Sequence, residues 1–184
     1  MWLQKLSKVN ELEIAQKIKN ELINSIVIQK LSKQLSVPAE IIGRLNIQFV
    51  ELEKEYAETD ATTMKINKNL LKQEDFFDKY MLVFAHETVH YLIFNSNIRL
   101  KGDANKPVNH DKPYFNDDEE ILGFEISIAY LLSKKYSPEE IKDKIYPKIE
   151  FHFKDKDAAD QFYDIIYRTA FEFLFDNKSL LKLV

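Results

Sequence analysis

The chain has 184 residues, no cysteine, 45% hydrophobic and 30% charged residues, and a formal net charge of -4. Its length suits one domain with a sizeable core, and its balance is that of a globular chain rather than a disordered or membrane-spanning one. The acidic charge argues against nucleic acid as the main partner, because phosphate recognition needs a basic face, and the lack of cysteine excludes disulfides and thiolate metal ligands.

The first residues, Met1 to Leu6, are followed by charged and amide residues at short intervals. They leave no apolar core for a signal peptide and no run long enough for a bilayer, so a cytoplasmic protein with no membrane partner is expected. Apolar residues recur at helical spacing from Leu3 to about Leu35, through Leu6, Val9, Leu12 or Ala15, Ile18, Leu22 and Ile26. This predicts a long amphipathic helix with room for one break. Pro38 suits the first turn of a short second helix through Ala39 to Ile42, closed by Gly43 to Asn46. Ile47 to Leu52 reads as a strand. Thr62 to Asn67 reads as another, with Met64 and Ile66 on one face, and the two are expected to form a small sheet.

Helical patterning returns from about Phe76 to Phe94, with Asn95 as its stop. Asn95 to Asn116 contains Gly102, Pro107 and Pro113 and reads as a long loop carrying His110 and Tyr114. Asn116 is the expected N-cap of the next helix, with Asp117 and Asp118 favourable against the dipole and Glu119 at the capping-box position. That helix should run to about Lys134. Ser137-Pro138-Glu139-Glu140 repeats the signature, and Pro147 is expected to end the short helix that follows. A last, aromatic-rich helix spans Asp157 to about Phe175, with Phe162, Ile166, Ala170 and Phe173 as its buried stripe. The aromatics there read as core, and His152, between Phe151 and Phe153, as structural or superficial.

The chemistry lies in His86-Glu87-Thr88-Val89-His90, inside the apolar stretch from Met81 to Phe94. Residues four apart on a helix stack on one face, so both imidazoles can reach one metal ion. Glu87 is then placed to act as the base for a metal-bound water that attacks a carbonyl carbon. Hydrolytic zinc keeps three protein ligands and an open position, so a third is required. No histidine stands at the metzincin spacing, where Ser96 is found instead.

Three carboxylates on the following helix compete for that role. Glu120 is preferred, because Gly123 and Ser127 on its face allow close approach to the histidine helix. Glu125 is an alternative, lying among Ile121, Leu122, Ile128, Ala129 and Leu132, where an unpaired charge is costly. Glu119 is the other, with a competing duty in the cap. His110 and Tyr114 in the long loop are candidate transition-state stabilisers, able to donate to an oxyanion.

With these residues the chain resembles the gluzincin metallopeptidases, in which a histidine-pair helix precedes a helix bearing a glutamate ligand. It resembles most closely the minimal zincin domains of the ImmA/IrrE type. Glu120, Gly123 and Leu131-Leu132 match that second helix, while Phe124 stands where the family has Asn or Asp. The resemblance covers roughly residues 47 to 134, and Thr62 to Leu70 resembles the family's edge strand, which lies beside an extended substrate peptide.

The fold expected is therefore α+β and predominantly helical: a single zincin-like domain over residues 1–184, with a small sheet packed on the histidine helix. N-terminal helices would occupy 1–46, the metallopeptidase core 47–134 and C-terminal helices 135–184. The function implied is a zinc-dependent metallopeptidase acting on a peptide or protein with one Zn2+ ion, although the same ligands accept Fe, Mn, Co or Ni. The rival reading is a catalytically weak or inactive zincin-like domain of a phage or mobile-element system that binds a protein partner.

Overall fold

The N-terminal apolar repeat folds as two helices, α1 (Trp2–Asn24) and α2 (Ile26–Gln34), parted at Ser25, whose backbone is extended. The computed structural model describes residues 2–53, 56–73, 75–98 and 117–180, with side chains from residue 10 onward. These fall into two compact units, Met1–Asn97 and Ile98–Val184.

In the first unit Ile18 and Leu22 of α1 and Val27, Ile28 and Leu31 of α2 are completely buried, which accounts for the spacing of apolar residues along the chain. Pro38 precedes a 3-10 turn over Ala39–Arg44 rather than an α-helix. Lys19 Nζ donates to the Gly43 carbonyl at 3.2 Å, tying α1 to that turn.

The sheet has three strands, β1 (Asn46–Val50), β2 (Ala57–Thr59) and β3 (Thr63–Asn67), in the order β1-β3-β2. β1 runs parallel to β3, pairing Asn46 with Thr63 and Val50 with Asn67, and β2 runs antiparallel to it, pairing Ala57 with Ile66. Met64 and Ile66 are fully buried, as their shared face requires. The strand expected to form a sheet edge is thus the central one. β2, unforeseen in the sequence, takes one outer position and packs on the histidine helix. The turn joining β2 and β3 is organised by Asp60, whose carboxylate accepts from the Thr62 and Thr63 backbone N–H groups, each at 2.8 Å.

That helix, α3 (Phe76–Phe94), ends at Asn95 as expected. Asn95 Nδ2 donates to the Tyr91 carbonyl at 2.8 Å and to the Ala61 carbonyl at 3.3 Å, so the helix end is fastened to the β2–β3 turn. Phe76, Phe84, Val89 and Leu92 carry its buried side.

The second unit consists, among its described residues, of α4 (Asp118–Ser133), α5 (Pro138–Glu150) and α6 (Lys156–Phe175). The cap of α4 falls one residue later than expected: Asp117 is the N-cap and its carboxylate accepts from the Glu119 backbone N–H at 2.9 Å. Asn116 lies outside the described residues, and the reciprocal capping role anticipated for Glu119 does not apply in this frame. Ser137 and Glu140 do form a capping box on α5. Pro147 does not end that helix; it sits inside it, and the chain stays helical to Glu150. A proline there forgoes one backbone bond, but the buried Ile141, Ile145 and Ile149 keep a continuous apolar stripe on either side of it. On α6 the stripe is Ala159, Tyr163, Ile166, Ala170 and Phe173; Phe162 is only half-buried and stacks on Phe153 instead, with ring centroids 5.4 Å apart.

The described chain is therefore mostly helical with a small mixed sheet. Among the described residues no helix is long and apolar enough to cross a membrane.

Candidate metal centre

Within the motif on α3, burial alternates with chemistry. Ala85, Thr88 and Val89 are buried, whereas His86, Glu87 and His90 are half-buried. This follows from helix geometry: the apolar face holds α3 against β2 and α1, and positions 86, 87 and 90 fall on the adjoining arc. The two imidazoles lie with ring centroids 5.3 Å apart and their planes inclined at 55°.

Two hydrogen bonds organise this stretch of α3, one within the helix and one to the 3-10 turn. Thr88 donates its hydroxyl to the Phe84 carbonyl at 2.7 Å, which satisfies a polar atom that the core would otherwise penalise. Tyr91, the residue after His90, donates to the Ile41 carbonyl at 3.0 Å, and burial pushes its phenol above the ordinary value. The backbone carrying both histidines is thus tied to the 3-10 turn as well as to the sheet.

Glu120 stands in the first turn of α4, behind the Asp117 cap. Gly123 and Ser127 on its face are both buried, and Ser127 turns its hydroxyl back onto the Gly123 carbonyl at 3.0 Å. Glu119 and Glu125 are more deeply buried than Glu120, at 6% and 7% exposure. Phe124 is buried too.

One ligand atom each from His86, His90 and Glu120 lies within 4.8 Å of the others, a His-His-Glu group that could hold a metal ion. All three side chains are half-buried. Glu119 and Glu125 do not belong to this group, so of the three carboxylates weighed in the sequence only Glu120 is brought to the histidines. His110 and Tyr114 lie outside the described residues. Ligand atoms around a tetrahedral zinc with bonds of about 2.0–2.1 Å are separated by about 3.3 Å, which lies within the 4.8 Å limit of this group. Two imidazoles and a carboxylate are also a suitable donor set for that ion.

A further residue, set aside in the sequence, bears on this group. His152 follows α5, and its imidazole feels the Glu120 carboxylate: desolvation lowers its pKa from the ordinary value, while Glu120 acts in the opposite sense. No signal in the local sequence links the two residues, because their relation depends on how the chain returns after α4. No protein-family model, curated protein or solved structure matches the chain.

Proposed function

We propose that the protein is a zinc metallopeptidase of minimal zincin type, in which His86, His90 and Glu120 hold the metal and Glu87 is the general base. The single observation that carries this reading is the convergence of two imidazoles and one carboxylate within 4.8 Å, with Glu87 next to the first imidazole on the same helix. Bound zinc would supply Lewis acidity, acidifying a water and polarising the scissile carbonyl.

The protein's own contribution is proton management and placement. Glu87 takes a proton from the water as its oxygen bonds to the carbonyl carbon, and returns it to the amide nitrogen as the carbon–nitrogen bond breaks. Its half-buried position on a helix fastened at Tyr91 and Asn95 holds the carboxylate in a fixed place for both transfers. An extended substrate would lie along β2, since β3 is flanked on both sides and β2 is the outer strand packed against α3.

The rival reading, a zincin-like protein-binding domain without turnover, draws on Phe124, an apolar side chain at the place where the resembled family carries a polar one. One paired experiment separates the two readings. Zinc titration should give one ion per chain for the wild type and for Glu87→Gln alike, whereas hydrolysis of a casein or peptide-library substrate should fall by about 10²–10⁴-fold in the variant. One bound zinc with no turnover on any peptide favours the binding domain. Wild-type protein that takes up no zinc overturns the peptidase reading.

A further inference from the structure

We propose that His152 is a positioning residue for Glu120, its imidazole holding the glutamate carboxylate in the rotamer competent to bind metal. This deepens the metal-site reading above and rests on it.

The geometry comes from the α4–α5 hairpin. α4 ends in a Schellman arrangement, with the Tyr136 N–H donating to the Leu131 carbonyl at 3.2 Å and the Lys135 N–H to the Leu132 carbonyl at 3.0 Å. Lys135 adopts a left-handed conformation, φ 65°, and reverses the chain within a few residues. α5 therefore packs back along α4. Glu120 stands fifteen residues before Lys135 and His152 sixteen after Tyr136. At about 1.5 Å per residue, both lie about 23 Å from the turn, at the same end of the hairpin.

The segment that presents His152 is itself fixed. Its backbone N–H donates to the Ile149 carbonyl at 2.9 Å, and the next N–H, from Phe153, to the Glu150 carbonyl at 3.0 Å. Ile149 is completely buried on one side, and the Phe153 ring stacks on Phe162 of α6 on the other. Phe151 lies edge-on to the imidazole, with centroids 5.3 Å apart, and is itself 85% exposed. The imidazole itself is exposed, so its place is set by this anchored backbone. The electrostatic influence of Glu120 on this imidazole agrees with that placement.

A carboxylate ligand uses one oxygen for the metal and leaves the other to be oriented by a neighbouring donor. Phe124 cannot provide such a donor. His152 can, through a ring N–H, and it acts through Glu120 rather than on substrate.

The test is metal binding by the purified full chain, read by zinc titration and by the visible spectrum of the Co2+-substituted protein, beside apo-protein melting curves. His152→Ala should weaken zinc about 10–100-fold and alter the Co2+ bands, with the apo melting temperature unchanged. His152→Gln, which restores a donor, should recover affinity to within a few-fold. Wild-type affinity and spectrum in His152→Ala overturn the role of His152 while leaving the metal site intact. Equal weakening in both variants with a lowered apo melting temperature assigns His152 to packing and overturns it equally. A wild-type chain that binds neither metal removes the site reading itself, an outcome distinct from both.

Discussion

α3 and α4 are both largely buried helices carrying the candidate ligands, yet they hold their polar residues in different ways. On α3 the histidines stand in the second half of the helix, before its last turn, where capping has no use for them. On α4 the acidic residues crowd the first turn, where Asp118, Glu119 and Glu120 all favour the helix dipole and Asp117 caps it. A ligand on α3 is therefore conspicuous, and a ligand on α4 is hidden among residues that helix physics explains without any metal.

The largest test of this contrast concerns the buried sides on which both helices depend. Phe84 of α3 and Ile128 of α4 are each completely buried. Phe84→Ala should cost about 3–5 kcal/mol and Ile128→Ala about 2–5 kcal/mol in urea unfolding. Values below 1 kcal/mol for either would break the picture of two equally anchored helices.

The next test separates a ligand from its acidic neighbours. Glu120→Ala should weaken zinc binding by at least about 100-fold, more than the loss of a supporting residue usually does. Glu119→Ala should leave zinc affinity within a few-fold, because Glu119 stands outside the ligand group. The reverse ranking in calorimetric titration would move the site to the other carboxylate.

Smaller effects sharpen the capping side. Asp117→Ala removes the side-chain acceptor for the Glu119 N–H and should lower stability by about 1 kcal/mol, measured by denaturant midpoint. Lys135→Gly should act oppositely, raising stability by about 0.5–1 kcal/mol, since glycine takes the left-handed conformation without steric cost.

The smallest expected effect is the pH response of the β2–β3 turn. Hydrogen bonds from the Thr62 and Thr63 backbone hold the Asp60 carboxyl below its ordinary value, Thr62 contributing most. A carboxylate with a depressed folded-state pKa stabilises the fold above its unfolded value, and that contribution fades as pH falls through the folded one. Amide exchange at Thr62 and Thr63 should therefore quicken in acid beyond its intrinsic rate in the wild type, and should lose that extra dependence in Asp60→Ala.

How much of this was legible in the sequence varies with the range of the interactions involved. The limits of α3 at Phe76 and Asn95 and the capping box at Ser137 were readable because each depends on residues within a turn or two of one another, whereas the N-terminal repeat allowed one break without placing it at Ser25. β2 was not, since Ala57-Glu58-Thr59 is too short to show alternation and owes its strand to pairing with β3. Pro147 misled because a local rule for helix ends yields to a buried stripe of isoleucines. The preference for Glu120 could be drawn from the small residues on its face, Gly123 and Ser127. His152 could not, because only the reversal at Lys135 brings it level with Glu120.

The brevity of β2 has a further consequence for anything that docks beside it. A three-residue outer strand offers only a few main-chain donors and acceptors, and Glu58 at its centre is engaged with Lys65 at 2.6 Å. A guest chain annealed there would gain little grip from its backbone, so discrimination between guests must fall to pockets for individual side chains, and release should be fast. The same shortness shields this border of the sheet from pairing edge-to-edge with other copies, a hazard that longer, uncharged borders invite.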